Sequence, residues 1–512
     1  MKKIAPPIMG WSSWNYFHQN INQEIIEQTA QALKNTGLLE AGYQYLNLDD
    51  CWQSSTRDIN GNLQFDLINF PNPTQLIKNI HRLGLKIGLY SSCGRLTCED
   101  LPASYTTEKQ DAAQFINWDI DFLKYDYCHV IDLKSDEGWL PDAPDIYEIQ
   151  LLETNTNEKT ILKPSQGALG GAAEIVSEEK GQNLYLTGLS SNRGELIFEN
   201  LDLPAGSYIV TIVYRKKKTE KRQLLEMIFN QTAVNVFFPT SSGWSNSGRQ
   251  QEIITLSEPL KKLLVKNSVF DQKSDAILRY RTMANALRLA IDNSNNPEKN
   301  FNFAICEHGR TQPWTWANRI GNSYRIYPDI ENSWQSIVEC YQQALRVAKF
   351  AVEGSYADPD MLEIGNGQLT VNESIAHFTL WSFLSAPLVL GNDLRYLTKE
   401  SSDFLKIVTN QEIIRINQSR PYLPAVLESA QNIDILIKYL DTQEIYLCFL
   451  NLTESDTNVT YSLDMLPEKV HHVKRKKRLN NPVEVWQQTD FKFSGNQLLF
   501  SLAPHSVKVF KL

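Results

Sequence analysis

Residue types suited to chemistry are concentrated in the stretch Asp121-Phe-Leu-Lys-Tyr-Asp-Tyr-Cys128. It reads as a short apolar strand, in which side chains alternate faces, so Lys124 and Asp126 share one side and Leu123 and Tyr125 the other. Such a pair either caps the strand as a plain salt bridge or holds a carboxylate ionised for catalysis. Other apolar runs also finish on polar or aromatic residues. Met9-Gly-Trp-Ser-Ser-Trp14 ends on Trp14, Tyr43-Gln-Tyr-Leu-Asn-Leu-Asp-Asp50 on Asp49 and Asp50, and Leu85-Lys-Ile-Gly-Leu-Tyr90 on Tyr90. The run 301–307 ends on Glu307, Tyr324-Arg-Ile-Tyr-Pro-Asp329 carries Arg325 and Asp329, and 356–362 carries Asp358 and Asp360.

Carboxylates mixed with aromatic rings suit a neutral, polyhydroxylated substrate that loses a leaving group. Acids bond its hydroxyls while rings stack on its C–H face. Glycoside hydrolysis needs one ionised carboxylate and one that holds a proton. Lys124 favours charge on Asp126, making it the nucleophile, and Asp329 then becomes the acid/base. A retaining enzyme would hold the two carboxyls about 5–5.5 Å apart. No Walker-type glycine loop is present, and the eight histidines are scattered rather than grouped as in a metallohydrolase. No metal or other cofactor is expected, and carboxylate-bound Mg²⁺ is the rival chemistry.

The elements that must position these residues alternate strand and helix up to about residue 140 and again after about 270. Eight such units, with chemistry at the C-terminal ends of the strands, make a (β/α)₈ TIM barrel. Between the halves, short alternating strands at 194–198, 206–214 and 224–229 read as a β-sandwich inserted after the fourth unit, which loop-closure entropy tolerates. The tail resumes strands at 433–440, 445–450 and 506–512. The expected division is therefore 1–142 and 263–420 for the barrel, 143–262 for the insert, and 421–512 for a C-terminal antiparallel β domain.

Composition agrees with several domains: 512 residues, 42% hydrophobic and 21% charged. A net charge of −9 lacks the footprint of a nucleic-acid binder. The basic runs Arg215-Lys-Lys-Lys218 and Lys474-Arg-Lys-Lys-Arg478 read as solvated turns. No apolar run reaches the roughly 18 residues that span a membrane. Met1-Lys-Lys-Ile-Ala-Pro-Pro7 has no apolar signal core, so a cytoplasmic protein or a secreted form without its leader is expected. Seven dispersed cysteines make neither a disulfide scaffold nor a zinc site.

The ordered motifs Met9-Gly-Trp-Ser-Ser-Trp-Asn15, Leu48-Asp-Asp-Cys-Trp52, Gly88-Leu-Tyr90, Leu123-Lys-Tyr-Asp-Tyr-Cys128, Cys306-Glu307, Tyr324-Arg325 with Asp329-Ile330, and Asp358-Pro-Asp-Met-Leu-Glu-Ile-Gly-Asn-Gly367 resemble glycoside hydrolase family 27. That family contains the retaining α-galactosidases and α-N-acetylgalactosaminidases. The resemblance implies Asp126 as nucleophile and Asp329 as acid/base, acting on α-galactoside glycans. It implies that Trp14, Asp49, Asp50, Tyr90 and Lys124 line the galactose pocket and that Arg325 touches the sugar. Asp49 and Asp50 would serve the 4- and 6-hydroxyls, and Glu307 the 2-hydroxyl, favouring galactose over its N-acetylamino analogue. Cys98 and Cys128 fall where relatives form a disulfide, which needs an oxidising compartment.

This chain departs from the family at His308 (usually Trp), Arg310 (usually smaller or apolar) and Tyr127 (usually Asn or Gly). His308 would either bond substrate or fill the missing ring's space. The expected activity is that of a retaining exo-α-galactosidase. The alternatives are α-N-acetylgalactosaminidase, β-L-arabinopyranosidase, isomaltose-releasing dextranase or a non-catalytic glycan-binding protein, the last opposed by the intact acids. The insert, through Tyr147-Glu-Ile-Gln150 and Leu203-Pro-Ala-Gly-Ser-Tyr208, resembles jelly-roll carbohydrate-binding modules of the family 6/35 type. Many of those hold a structural calcium with a glutamate where Gln150 stands. A lid or dimerisation module is the other reading of the insert.

Overall fold

The computed structural model describes residues 4–130, 143–177, 183–190, 194–215, 223–238, 247–269, 271–397, 402–430, 433–466, 482–491 and 497–512. Eight parallel strands build the barrel: β1 Met9–Ser12, β2 Tyr45–Asn47, β3 Lys86–Ser92, β4 Phe122–Asp126, β5 Asn302–Cys306, β6 Ser323–Arg325, β7 Tyr356–Asp358 and β8 Leu388–Leu390. They follow one another around the sheet in sequence order, with β8 beside β1. The ring closes just past β7, where Leu362 bridges Leu390 in parallel and gives its N–H to the Val389 carbonyl at 2.7 Å. This is the (β/α)₈ barrel expected from the alternation.

Local chemistry sets the helices between strands. In Gln23–Asn35, the Asn22 side chain accepts the Ile25 N–H at 2.9 Å and caps the start. Ile26, Ala30 and Leu33 then bury one face at helical spacing. Val371–Phe383 begins with a reciprocal capping box between Thr370 and Glu373. Among the described residues no helix is long and apolar enough to cross a membrane.

The chain divides into two compact units, one of Met1–Val130 with Met283–Leu512 and one of Ile131–Thr282. The second holds two antiparallel sheets of five and six strands. Ile149, Leu151, Val210 and Ile212 of one sheet share a core with Leu196, Phe198, Met227 and Val265 of the other. The expected boundary at 262 is too early. Leu263–Lys266 is a sandwich strand, paired with both Glu195–Phe198 and Gln223–Phe229. Its four residues are too short a run to show period-two alternation. The expected boundary at 142/143 touches residues outside those described, as do the basic runs at 216–218 and 474–478. Arg215 itself is no solvated turn residue, since it pairs with Asp145 at 3.1 Å and stacks 3.5 Å over the Tyr185 ring. Gln150 gives its amide to Glu148 at 2.5 Å.

The C-terminal region forms a six-stranded antiparallel sheet and a strand pair, Thr457–Ser462 with Gln497–Leu502, around Ile435, Phe449, Tyr461, Leu498 and Phe510. Where this sheet meets the barrel, Lys438 is buried. It donates to Ser385 Oγ at 2.6 Å and faces the Ser382 and Phe383 carbonyls at 3.5 and 3.4 Å. Burial pushes its ammonium down to about 7. Between that value and the usual one, the unfolded chain binds a proton the folded chain lacks, so stability falls as pH falls through that window. Lys438→Met should therefore raise stability by about 1–4 kcal/mol at and below pH 7. The gain should fade toward pH 10, as urea melts across that range would show.

Candidate active site

Polar side chains at the C-terminal ends of the barrel strands converge on one mouth. On β4, Lys124 and Asp126 do share a face, but the lysine's salt-bridge partner is Asp49 beyond β2, at 2.8 Å. Its ammonium also lies 5.2 Å over the Tyr90 ring. Asp49 accepts the Ser12 hydroxyl at 3.4 Å, and its own N–H donates to Ser13 Oγ at 3.0 Å, tying β1 to β2. Asp50 accepts the Cys51 N–H at 2.8 Å and the Glu99 N–H at 3.0 Å. Burial nonetheless pushes its carboxyl up to about 6.

Asp126 is buried and has donors on both oxygens. Oδ2 accepts the Tyr90 hydroxyl at 3.1 Å, while Oδ1 accepts the Tyr127 N–H at 2.7 Å and faces His308 Nε2 at 3.3 Å. Burial alone would raise this carboxyl. The His308 hydrogen bond, the charges of Lys124 and His308, and the Tyr127 N–H overcome it and hold the group far below the usual carboxylate range. Lys124 thus contributes through its field rather than by contact. The Tyr90 hydroxyl also touches the Cys98–Cys128 disulfide, at 3.5 and 3.7 Å from its sulfurs.

Arg325, at the end of β6, is buried and forks between Asp360 Oδ2 at 2.6 Å and Asp329 Oδ1 at 2.8 Å. The ladder stops at Arg325, so Asp329 sits in the loop beyond, with 60% of its side chain exposed. Burial pulls its carboxyl up, but the charge of Arg325, then those of Lys124 and His308, bring it below its ordinary value. Asp360 also accepts the Ile330 N–H at 2.9 Å, fixing the backbone beside Asp329. Asp358 accepts the Asp360 N–H at 2.9 Å, and burial pushes its carboxyl up to about 6.

Four placements add to the sequence reading. Glu307 follows the last residue of β5, is 0% exposed, and takes the Thr311 N–H on Oε2 at 2.7 Å. Cys306 pairs with Asp126 across the β4–β5 ladder and shares its face. Cys306 Sγ lies 3.9 Å from His308 Nε2 and 3.9 Å from Arg325 Nη1, and burial pushes its thiol well up. Alternation counted from Lys124 and Asp126 through that ladder would have found it. Trp14 starts the short helix after β1, edge-on to His18 at 5.7 Å between centroids, without a bond to the carboxylates. His308 lies between Asp126 and Asp329, a position no local pattern encodes. If Glu307 is structural, Glu307→Gln should cost about 1–3 kcal/mol of stability. It should leave the preference between 2-hydroxyl and 2-acetamido substrates unchanged, which melts and two aryl glycosides would check.

Two trios of possible metal-binding atoms cluster here among the described residues, Cys98 with Asp126 and Cys128, and Asp126 with Cys306 and His308. The first spends its thiols on the disulfide, and the second has Lys124 and Arg325 pressing on it. Neither is assigned a metal.

Residues 6–141 and 261–419 match the melibiase family described as alpha galactosidase A. The chain belongs to this family. The match takes in all eight barrel strands and leaves out the insert only as far as residue 260. This melibiase-family chain is 26% identical over 509 residues to alpha-galactosidase 2 of Arabidopsis thaliana, covering 99% of this chain and 89% of the relative. It is 26% identical over 471 residues to alpha-galactosidase A of Cellvibrio japonicus, covering 90% and 78%. Among solved structures, alpha-galactosidase I from Mortierella vinacea superposes with a TM-score of 0.63 at 22% identity, covering 99% of this chain and 96% of the other. A family 27 β-L-arabinopyranosidase from Geobacillus stearothermophilus does so at 0.59 and 15%, covering 99% and 96%. At those identities the superpositions establish the fold. The family makes the chain a glycoside hydrolase.

Proposed function

We propose that this chain hydrolyses terminal α-D-galactosyl residues of oligosaccharides and glycoconjugates with retention of configuration. The observation that carries the reading is the state of Asp126, a buried carboxylate kept ionised by aimed donors at the barrel mouth. A second carboxylate, Asp329, stands across one imidazole from it and is open to solvent. The alpha-galactosidases that match nearly the whole chain supply the substrate class. Fixed by Lys124, Asp49 presents a polar edge beside Asp50 suited to the 4- and 6-hydroxyls of galactose.

In the first step Asp126 forms a bond to the anomeric carbon as the glycosidic C–O bond breaks, and Asp329 gives its proton to the departing oxygen. In the second step a water oxygen bonds to that carbon, its proton passes to Asp329, and the Asp126 carboxylate is released. Arg325 holds Asp329 in place, and Tyr90 with the Tyr127 N–H aims Asp126.

The test is a panel of p-nitrophenyl glycosides: α-D-galactoside, α-N-acetylgalactosaminide, β-L-arabinopyranoside and α-isomaltoside. The wild type should cleave the α-galactoside fastest, and Asp126→Ala should not cleave it. A wild type that leaves it intact removes the substrate, and an active Asp126→Ala removes the nucleophile. For the insert, we propose glycan binding. A glycan array probed with the full chain in excess galactose should lose its signal on deletion of residues 143–266 if that is right.

A further inference from the structure

A single imidazole touches both catalytic carboxylates. His308 Nε2 lies 3.3 Å from Asp126 Oδ1, and its Nδ1 lies 3.3 Å from Asp329 Oδ1. The side chain is 19% exposed, and its backbone is held in the left-handed region at φ 59°. Few non-glycine residues take that conformation, and here it turns the ring in between the two acids.

The inventory of donors restricts the proton states of this bridge. A neutral imidazole offers one donor and one acceptor, and an imidazolium offers two donors. Asp126 must be ionised to act as nucleophile and so only accepts, which puts a hydrogen on Nε2. Nδ1 then faces Asp329 in one of two ways. Either Asp329 is ionised and Nδ1 carries a second hydrogen, or Asp329 is protonated and donates to a bare Nδ1. Both arrangements contain the same number of protons and differ only in where one of them sits. Once that proton is lost, two acceptors face each other with nothing between.

We propose that His308 is a positioning residue that, together with Asp329, stores the proton delivered to the leaving group. The proposal rests on the assignment of Asp126 and Asp329 above. Six ionisable groups surround the bridge. Tyr90 comes from β3, Lys124 and Asp126 from β4, Cys306 from the end of β5 just before His308's turn, and Arg325 and Asp329 from β6 and its loop. Arg325 decides the need for storage. It binds the same Asp329 oxygen at 2.8 Å and favours the carboxylate, so Asp329 alone keeps a proton poorly near neutral pH. The imidazole gives that proton a second seat. During glycosylation the proton goes from Asp329 to the glycosidic oxygen as that C–O bond breaks and the Asp126 ester forms. During deglycosylation the attacking water returns a proton to the Asp329–His308 pair as the ester breaks.

His308→Gln separates storage from packing, because the amide still donates to a carboxylate but cannot take a second proton. Its alkaline limb of kcat/KM should move to lower pH by about one unit or more. At pH 7 it should lose about 10-fold or more on melibiose and clearly less on a dinitrophenyl galactoside, whose leaving group needs no acid. An unmoved limb, or equal loss on both substrates, would overturn the proposal. A second measurement requires no turnover. Protein labelled with ¹⁵N-histidine should show a His308 Nδ1 signal that is hydrogen-bonded, as donor or as acceptor, absent in His308→Gln and shifted in Asp329→Asn. Identical His308 signals in wild type and Asp329→Asn would also overturn it. If the wild type cleaves no α-galactoside, the functional reading fails, and the spectra still decide the bridge.

Discussion

Asp126→Ala is expected to lower kcat on an aryl α-galactoside by about 10⁴-fold or more. Added azide is expected to restore part of the turnover as β-galactosyl azide. The size follows from what is removed. Without the carboxylate no ester forms, and no other described carboxylate accepts both the Tyr90 hydroxyl and the Tyr127 N–H. The stereochemistry follows from the space left behind. Azide entering the void attacks from the face opposite the aglycone and inverts the centre once. Because the substitution strands buried donors, a melt of the variant must accompany the kinetics. Rescue that yields the α-azide would place the nucleophile elsewhere.

Asp329→Ala should show a different signature. Its side chain is largely in solvent, so the fold should tolerate the change. The loss should reach about 10²–10⁴-fold for melibiose, where the departing hydroxyl needs a proton, and shrink for a dinitrophenyl galactoside. With the activated substrate the second step becomes limiting, and azide should yield the α-azide, since Asp126 still performs the first displacement. The pH dependence follows from the same side chain. With Asp329 gone, the alkaline limb of kcat/KM should flatten, because the group that hands the proton to the departing oxygen is missing. A uniform loss across leaving groups, with the limb retained, would assign Asp329 a structural part.

The barrel was legible because its strands combine apolar runs with chemistry at one end, a pattern that survives even where β2, β6, β7 and β8 are only three residues long. Strand ends were less legible. Tyr324 to Asp329 reads as continuous strand, yet the ladder stops at Arg325 and leaves Asp329 in a loop. Alternation put Lys124 on the correct face but could not show that its partner, Asp49, comes from another strand. For Glu307, family likeness points to the substrate, while the residue that ladder register brings beside Asp126 is its neighbour Cys306. Leu263–Lys266 falls on the barrel side of the expected boundary because four residues carry too little pattern to show a strand. His308 was visible only as a departure from the family. Its bridge between an acid on β4 and an acid in the loop after β6 exists only in three dimensions.

The most direct test of the central claim, that Asp126 forms a covalent galactosyl ester, is to trap that ester. A 5-fluoro α-galactosyl fluoride carries a good leaving group and a ring fluorine that slows hydrolysis of the intermediate. The labelled enzyme is then digested and its peptides sequenced by mass spectrometry. The expected result is one modified peptide with the sugar on Asp126. Sugar on any other residue, or no label from an enzyme that turns the compound over, would contradict the claim.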